Sequence, residues 1–169
     1  MHSKFHRLYE PIKINQMALK NRLMALSGVS ASTVKMFGGI NAAEQVAKGG
    51  AAIINTVMSD VDDPKSNFYP GSLYTLRKSE RDKIRSWVNR IHQYGAKYMI
   101  EMDHVGEYYR AVGDDFALGT TTKINEKGIR VKGMDEADMQ RIREAYQRTA
   151  KDAVDLGFDA ILFDCAGGW

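Results

Sequence analysis

The 169-residue chain has one cysteine, Cys165, so it cannot form an internal disulfide. A reducing compartment, the cytoplasm, is therefore the expected location. No apolar run approaches the ~20 residues that span a bilayer, and no membrane role is expected. The opening Met1-His2-Ser3-Lys4-Phe5-His6-Arg7 lacks the apolar core of a signal peptide. Charge of either sign is nearly balanced, at a net +3. The densest basic stretch, Thr122 to Lys132, is interrupted by Glu126 and holds no aromatic residue. It offers neither a basic stripe nor a stacking platform, which argues against a nucleic-acid partner. His2, His6, His92 and His104 lack ligand spacing and the lone thiol has no partner, so no metal site is expected. No nucleophile-elbow motif supports a Ser-His-Asp reading.

What is present is the material of a soluble globular domain, with 44% apolar and 27% charged residues. The length suits a single domain over residues 1–169. Ile12-Lys13-Ile14 and Met17-Ala18-Leu19 flank Asn15-Gln16 like two strands about a tight turn. Arg22 to Ser27 reads as a buried strand, followed by small residues from Gly28 to Ser32. Asn41 is a plausible N-cap for a short helix to Lys48, stopped by Gly49-Gly50. The apolar, β-branched run Ala51 to Val57 has the character of a strand covered on both faces. Ser79 is a candidate N-cap for a helix with Ile84, Trp87, Val88 and Ile91 on one stripe. Gly95 ends it, and Lys97 to Met102 forms the next strand. The glycine-containing segment from Val105 to Gly133 reads as a long loop of the kind that carries function. Asp135 caps a helix whose apolar face is Met139, Ile142, Tyr146, Ala150, Ala153 and Val154. Ala160 to Phe163 is the last strand.

Strand and helix alternate, with crossovers long enough for parallel pairing. The long segments Ser59 to Lys78 and Val105 to Gly133 follow strands, while the helix-to-strand turns are short. That asymmetry points to an α/β fold of TIM type, with its loops gathered at the strand C-termini. About four βα units plus an N-terminal hairpin are visible, whereas a closed (β/α)8 barrel needs eight units and about 250 residues. The expectation is the N-terminal half of a barrel, ending at the edge of an active site, with the remainder absent or borrowed. A flavodoxin-like open sheet competes, but no Gly-rich phosphate loop follows the first strand.

Five segments resemble the old yellow enzyme family of flavin-dependent oxidoreductases, in order and at compatible spacing. Leu8-Tyr9-Glu10-Pro11-Ile12-Lys13-Ile14 with Leu19-Lys20-Asn21-Arg22 resembles its opening, and Gly49-Gly50-Ala51-Ala52-Ile53-Ile54 its second strand. Gly95 to Gly106 is similar to its third strand, and Gly119-Thr120-Thr121 sits where the family usually has Gly-Pro-Ser. The last helix and Gly157-Phe158-Asp159 match the approach to its fourth strand. The resemblance implies FMN at the strand C-termini and hydride transfer from NAD(P)H through the flavin to an activated alkene. It also implies that the flavin phosphate is held by the second half of the barrel.

The resemblance further implies roles for particular residues. The family's fourth strand ends in His-x-x-His or His-x-x-Asn, with a Tyr two residues on; here those places are Asp164, Gly167 and Trp169. A carboxylate donates no hydrogen bond unless protonated, and glycine has no side chain. Asp164 is either a proton donor with a raised pKa beside the flavin or a strand-end residue bonded to backbone N–H groups. Cys165 reads as a small core filler. Glu101 replaces a Gln that bonds the flavin pyrimidine edge; it either contacts FMN, accepting from N3–H, or pairs with a Lys. Ala25, Leu26, Ser27 and Gly28 end the first strand, where small residues permit close approach to the ring. His104 reads as structural. Glu107 stands where the family often has Arg, and Tyr108, Tyr109 and Arg110 follow on the loop above. Tyr109 and Arg110 either replace the missing proton donor and anion clamp or are solvated.

Two functions fit this reading. One is an FMN-dependent oxidoreductase acting on a small unsaturated molecule with altered substrate-binding residues. The other is a catalytically silent half-barrel serving assembly or regulation. Either implies a homo-oligomer or a complementary half-barrel as partner.

Overall fold

The computed structural model describes residues 4–26, 40–61, 63, 78–108, 110 and 114–165. β1 (Ile12–Ile14) and β2 (Met17–Leu19) form the expected antiparallel hairpin. Asn15 at its turn has φ 52°, a left-handed conformation that Asn tolerates through local side-chain bonding. β3 (Met24–Ala25), α1 (Ile40–Lys48), β4 (Ile53–Asp60), α2 (Lys78–His92) and β5 (Lys97–Asp103) follow. Then come β6 (Ala117–Gly119), β7 (Lys123–Ile124), β8 (Arg130–Gly133), α3 (Glu136–Leu156) and β9 (Ala160–Phe163). No helix among the described residues is long and apolar enough to cross a membrane.

The parallel sheet runs β3-β4-β5-β9, so strand order equals chain order. On one face Ile54, Tyr98, Ile100, Met102 and Ile161 pack against all three helices, through residues such as Ala47, Ile84, Val88, Ala153 and Leu156. Burying one such Ile or Leu stabilises the fold by roughly 1.5–3 kcal/mol. On the other face Ile53, Met99, Ala160 and Leu162 pack on Leu19, Ile12 and Met17 of the hairpin. A doubly wound sheet would reverse strand order and carry helices on both faces. The arrangement is instead the first half of a β/α barrel. The hairpin closes the N-terminal end of its inner surface and leaves the strand C-termini to polar residues.

The N-cap of α3 follows its sequence signal. The Asp135 carboxylate accepts from the Asp138 amide at 2.8 Å, and Asp138 accepts in return from the Asp135 amide. At the other end Gly157 adopts φ 95°, a left-handed C-cap. Asp159 then ties the entry of β9 to β5 and α2: it accepts from Lys97 Nζ at 2.7 Å and the Tyr98 amide at 2.9 Å, and lies 2.6 Å from His92 Nε2.

Four sequence expectations are corrected. Arg22 to Ser27 is not a buried strand: pairing covers only Met24 and Ala25, and Met24 and Leu26 are 49% and 69% exposed. Among the described residues β3 pairs with β4 alone, at the edge of the sheet. The Asn41 and Ser79 caps do not hold. α1 begins at Ile40, so Asn41 lies inside it and accepts from Arg90 Nη2, linking α1 to α2; α2 already includes Lys78, ahead of Ser79. The α3 face is rotated, since Asp138, Ala145, Thr149, Ala153 and Leu156 are buried while Met139 and Val154 are exposed. Asp138 is buried with its carboxylate paired to Lys132 of β8 and, within the helix, to Arg141. Finally, the stretch from Val105 to Gly133 contains a three-stranded sheet in the order β6-β8-β7. Strands of two to four residues leave too little alternation to read.

Candidate active site at the strand C-termini

Residues paired in register on parallel strands share a face. Ile53 and Met99 face the hairpin, so Asn55 and Glu101, two positions on along each strand, face the inner surface beyond it. Asn55 Nδ2 donates to Glu101 Oε2 at 2.6 Å. Between Asn55 and Met58 the register slips, with Asn55 opposite Met99 but Met58 opposite Glu101. β4 thus carries one extra residue, a bulge of the kind found beside active sites. Past it, Asp60 is the register partner of Asp103.

Glu101, Asp103 and Asp164 bring carboxylate oxygens within 4.8 Å of one another. Glu101 and Asp164 are half-buried, whereas Asp103 is fully buried. Among the described residues neither Asp103 oxygen has a hydrogen-bond partner. Burial pushes its carboxyl up to about 8, aided by the charges of Glu101, Asp164 and Asp60 and opposed only by the nearby Ser59 backbone. Burial also raises Glu101, against the Asn55 hydrogen bond and with the charge of Asp164. The most perturbed acid here is therefore Asp103, which is not among the residues the sequence singles out. A signal was available: alternate residues on a strand, such as Glu101 and Asp103, share a face.

The other expected site residues divide. The Asp164 amide donates to the Met102 carbonyl at 3.2 Å, fixing it beyond β9 beside the other two acids. Leu26 is exposed just past β3, but the Ala25 side chain packs into the helix-side core and can approach a ligand only through its backbone. Ser27, Gly28, Tyr109, Gly167 and Trp169 lie outside the described residues. Arg110 is exposed. Cys165 is exposed too, not a core filler, because the chain has left the sheet by that point.

The loop above the site is built by its own contacts. Glu107 pairs with Lys123 at 2.9 Å, its carbonyl accepts from Asn125 Nδ2 at 2.8 Å, and Lys127 sits over the Tyr108 ring. His104 is buried with Nε2 3.2 Å from Asp63 Oδ2, and the Gly106 amide donates to Nδ1. With Nδ1 accepting, a neutral ring carries its proton on Nε2, toward Asp63. Arg141 Nε donates to the other Asp63 oxygen at 3.2 Å. A cavity of about 480 Å³ between loop and α3 is lined by His104, Glu107, Gly119, Lys123, Ile142 and Tyr146. Burial, with the charge of Asp103, pushes the Tyr146 hydroxyl up to about 12.

Parallel strands in chain order, helices on one side and acids gathered at the strand ends define the N-terminal half of a (β/α)8 barrel. Residues 7–169 match the NADH:flavin oxidoreductase / NADH oxidase family, and the chain belongs to it. It is 26% identical over 159 residues to the 4,4'-dithiodibutanoate disulfide reductase of Rhodococcus erythropolis, covering 91% of this chain and 39% of that protein. It is 23% identical over 168 residues to an NADPH dehydrogenase of Clostridium acetobutylicum, covering 96% of this chain and 49% of the relative. The chain thus spans less than half the length of these relatives. Among solved structures it is similar in fold to 2-naphthoyl-CoA reductase in complex with 2-naphthoyl-CoA, with TM-score 0.79 and 18% identity over 97% of this chain and 28% of the other. It is likewise similar to old yellow enzyme from Pichia sp. AKU4542, with TM-score 0.71 and 18% identity over 93% and 45%.

Proposed function

We propose that the chain forms the first half of an FMN-dependent oxidoreductase that moves a hydride from NAD(P)H, by way of the flavin, to an activated double bond of a small molecule. One observation carries this reading. In a family of flavin enzymes, the hairpin fills one end of the inner surface while Asn55, Glu101 and Asp164 gather at the other, open end. The residues present fit the ring rather than the phosphate. Glu101 is held by Asn55 and can accept from the flavin N3–H, and Leu26 offers an exposed apolar contact. Ala25 would approach the ring by its backbone, and Ser27 and Gly28 are proposed as flavin-binding from their place in the sequence. A phosphate needs helix N-terminal amides or paired cations, which this reading assigns to further strands of the barrel.

When bound, FMN supplies the two-electron chemistry. The chain's own part is to orient the ring through Glu101 and to exclude water from beneath it with the hairpin. Asp164 occupies the place of the family's carbonyl-holding residue, and in its protonated form it can donate a hydrogen bond or a proton to substrate. Tyr109 and Arg110 are proposed as a second proton donor and an anion clamp on the loop. A complementary half-barrel or a second copy is proposed as the partner: among the described residues β3 and β9 are each paired on one side only, with Met24, Leu26 and Phe163 exposed there.

The test is size-exclusion chromatography of the chain with excess FMN, recording visible absorbance across the protein peak. Co-eluting flavin is the expected result. A colourless peak would overturn flavin binding by this chain.

A further inference from the structure

We propose that Glu101, Asp103 and Asp164 form a binding site for a divalent cation of the magnesium, manganese or calcium type. His and Cys lack ligand spacing along the chain, but the fold assembles three carboxylates, two on β5 and one just past β9. Their oxygens lie within 4.8 Å of one another. Two ligands on opposite sides of a calcium ion, each at ~2.4 Å, stand about 4.8 Å apart, so the cluster closes on an ion with small side-chain rotations. An all-oxygen, all-carboxylate set selects hard cations over zinc or copper.

Acids can cluster without holding an ion; Asp103 is what distinguishes this cluster. It is fully buried, and among the described residues neither of its oxygens has a hydrogen-bond partner, although buried carboxylates are ordinarily satisfied. One of those oxygens lies within 4.8 Å of a carboxylate oxygen of Glu101 and of Asp164. The supports are rigid. Glu101 and Asp103 alternate on β5, and Asp164 is fixed beside them by its amide bond to the Met102 carbonyl. Because Glu101 and Asp164 are half-buried, an ion has a way in from the open end.

A cation here also bears on the flavin reading. Glu101 in place of an amide sets a negative charge against the pyrimidine carbonyl of FMN, and a neighbouring ion offsets that repulsion. The site itself does not depend on flavin and is tested without it, so the two readings can fail separately.

The experiment uses the flavin-free 169-residue chain, stripped with chelator and desalted at pH 7.5. Manganese is titrated and free ion is read by electron paramagnetic resonance. The expected result is about one ion per chain, displaced by magnesium or calcium, with at least about tenfold weaker binding in Asp103→Asn and in Glu101→Gln. Circular dichroism checks that each variant folds. If Asp103→Asn does not fold, Glu101→Gln, at a half-buried position, decides alone. No manganese bound at millimolar concentration, or binding unchanged in the folded variants, would overturn the proposal.

Discussion

Asn55 donates its side-chain amide to Glu101 across 2.6 Å, joining β4 to β5 on the surface where this family's flavin chemistry is proposed to occur. The pair holds a carboxylate at the place where the resemblance puts a Gln. Negative charge beside a flavin disfavours its anionic reduced form. In a chelating buffer, Glu101→Gln is therefore expected to raise the midpoint potential of bound FMN by tens of millivolts. For a two-electron couple, ~30 mV corresponds to ~1.4 kcal/mol. Spectroelectrochemical titration checks this, and an unchanged potential would put the carboxylate away from the ring.

Acid should loosen the fold at two identifiable carboxylates. Burial works against the charge of Asp159, but Lys97, the Tyr98 amide and His92 outweigh it and hold the carboxyl below its usual range. For Asp138, burial is likewise overcome, by Lys132, Arg141 and the Asp135 backbone, which bring it down to about 2. Both folded-state values lie below the unfolded ones. Their stabilisation is therefore fully present above about pH 4 and disappears as pH falls through the folded values. Asp159→Asn should cost ~1–3 kcal/mol at pH 7 and flatten the acid limb. Urea unfolding at pH 7 and pH 3 measures both, and equal losses at the two pH values would contradict the assignment.

Gly119 is where the small sheet leaves no room for a side chain. A Cβ there would lie 2.6 Å from Val131 Cγ1 and 3.1 Å from Glu107 Cβ. Gly119→Ala should push β6 away from β8, at ~1–3 kcal/mol. The Met134 amide, which donates to the Gly119 carbonyl at 2.9 Å, should then exchange faster with deuterated solvent. Exchange at the wild-type rate would mean the loop absorbs the methyl group without moving.

The legible parts of this fold were those whose chemistry repeats along the chain. The hairpin about Asn15, the Lys97 and Ala160 strands, and the Asp135 cap follow local rules, and the structure has them. The α3 face was misjudged because Met139 and Val154 are apolar yet exposed, while Asp138 and Thr149 are polar yet buried. The Asp138 ion pair with Lys132 joins α3 to β8, so it acts between elements. The acidic site was half visible. Glu101 and Asp164 were singled out, whereas Asp103 gains its importance from burial between β4 and β9, which sequence spacing does not report.

The extra residue in β4 has a consequence for how charge is distributed around the strand ends. Counting strictly from Ile53, even-numbered positions belong to the helix layer and Asp60 would be among them. The bulge inverts that parity after Asn55, so that Asp60 stands opposite Asp103 instead. The electrostatic character of this surface is thus tuned by chain length as well as by residue identity. An insertion of one residue, with no acid gained or lost, is enough to bring a helix-side carboxylate into register with Asp103.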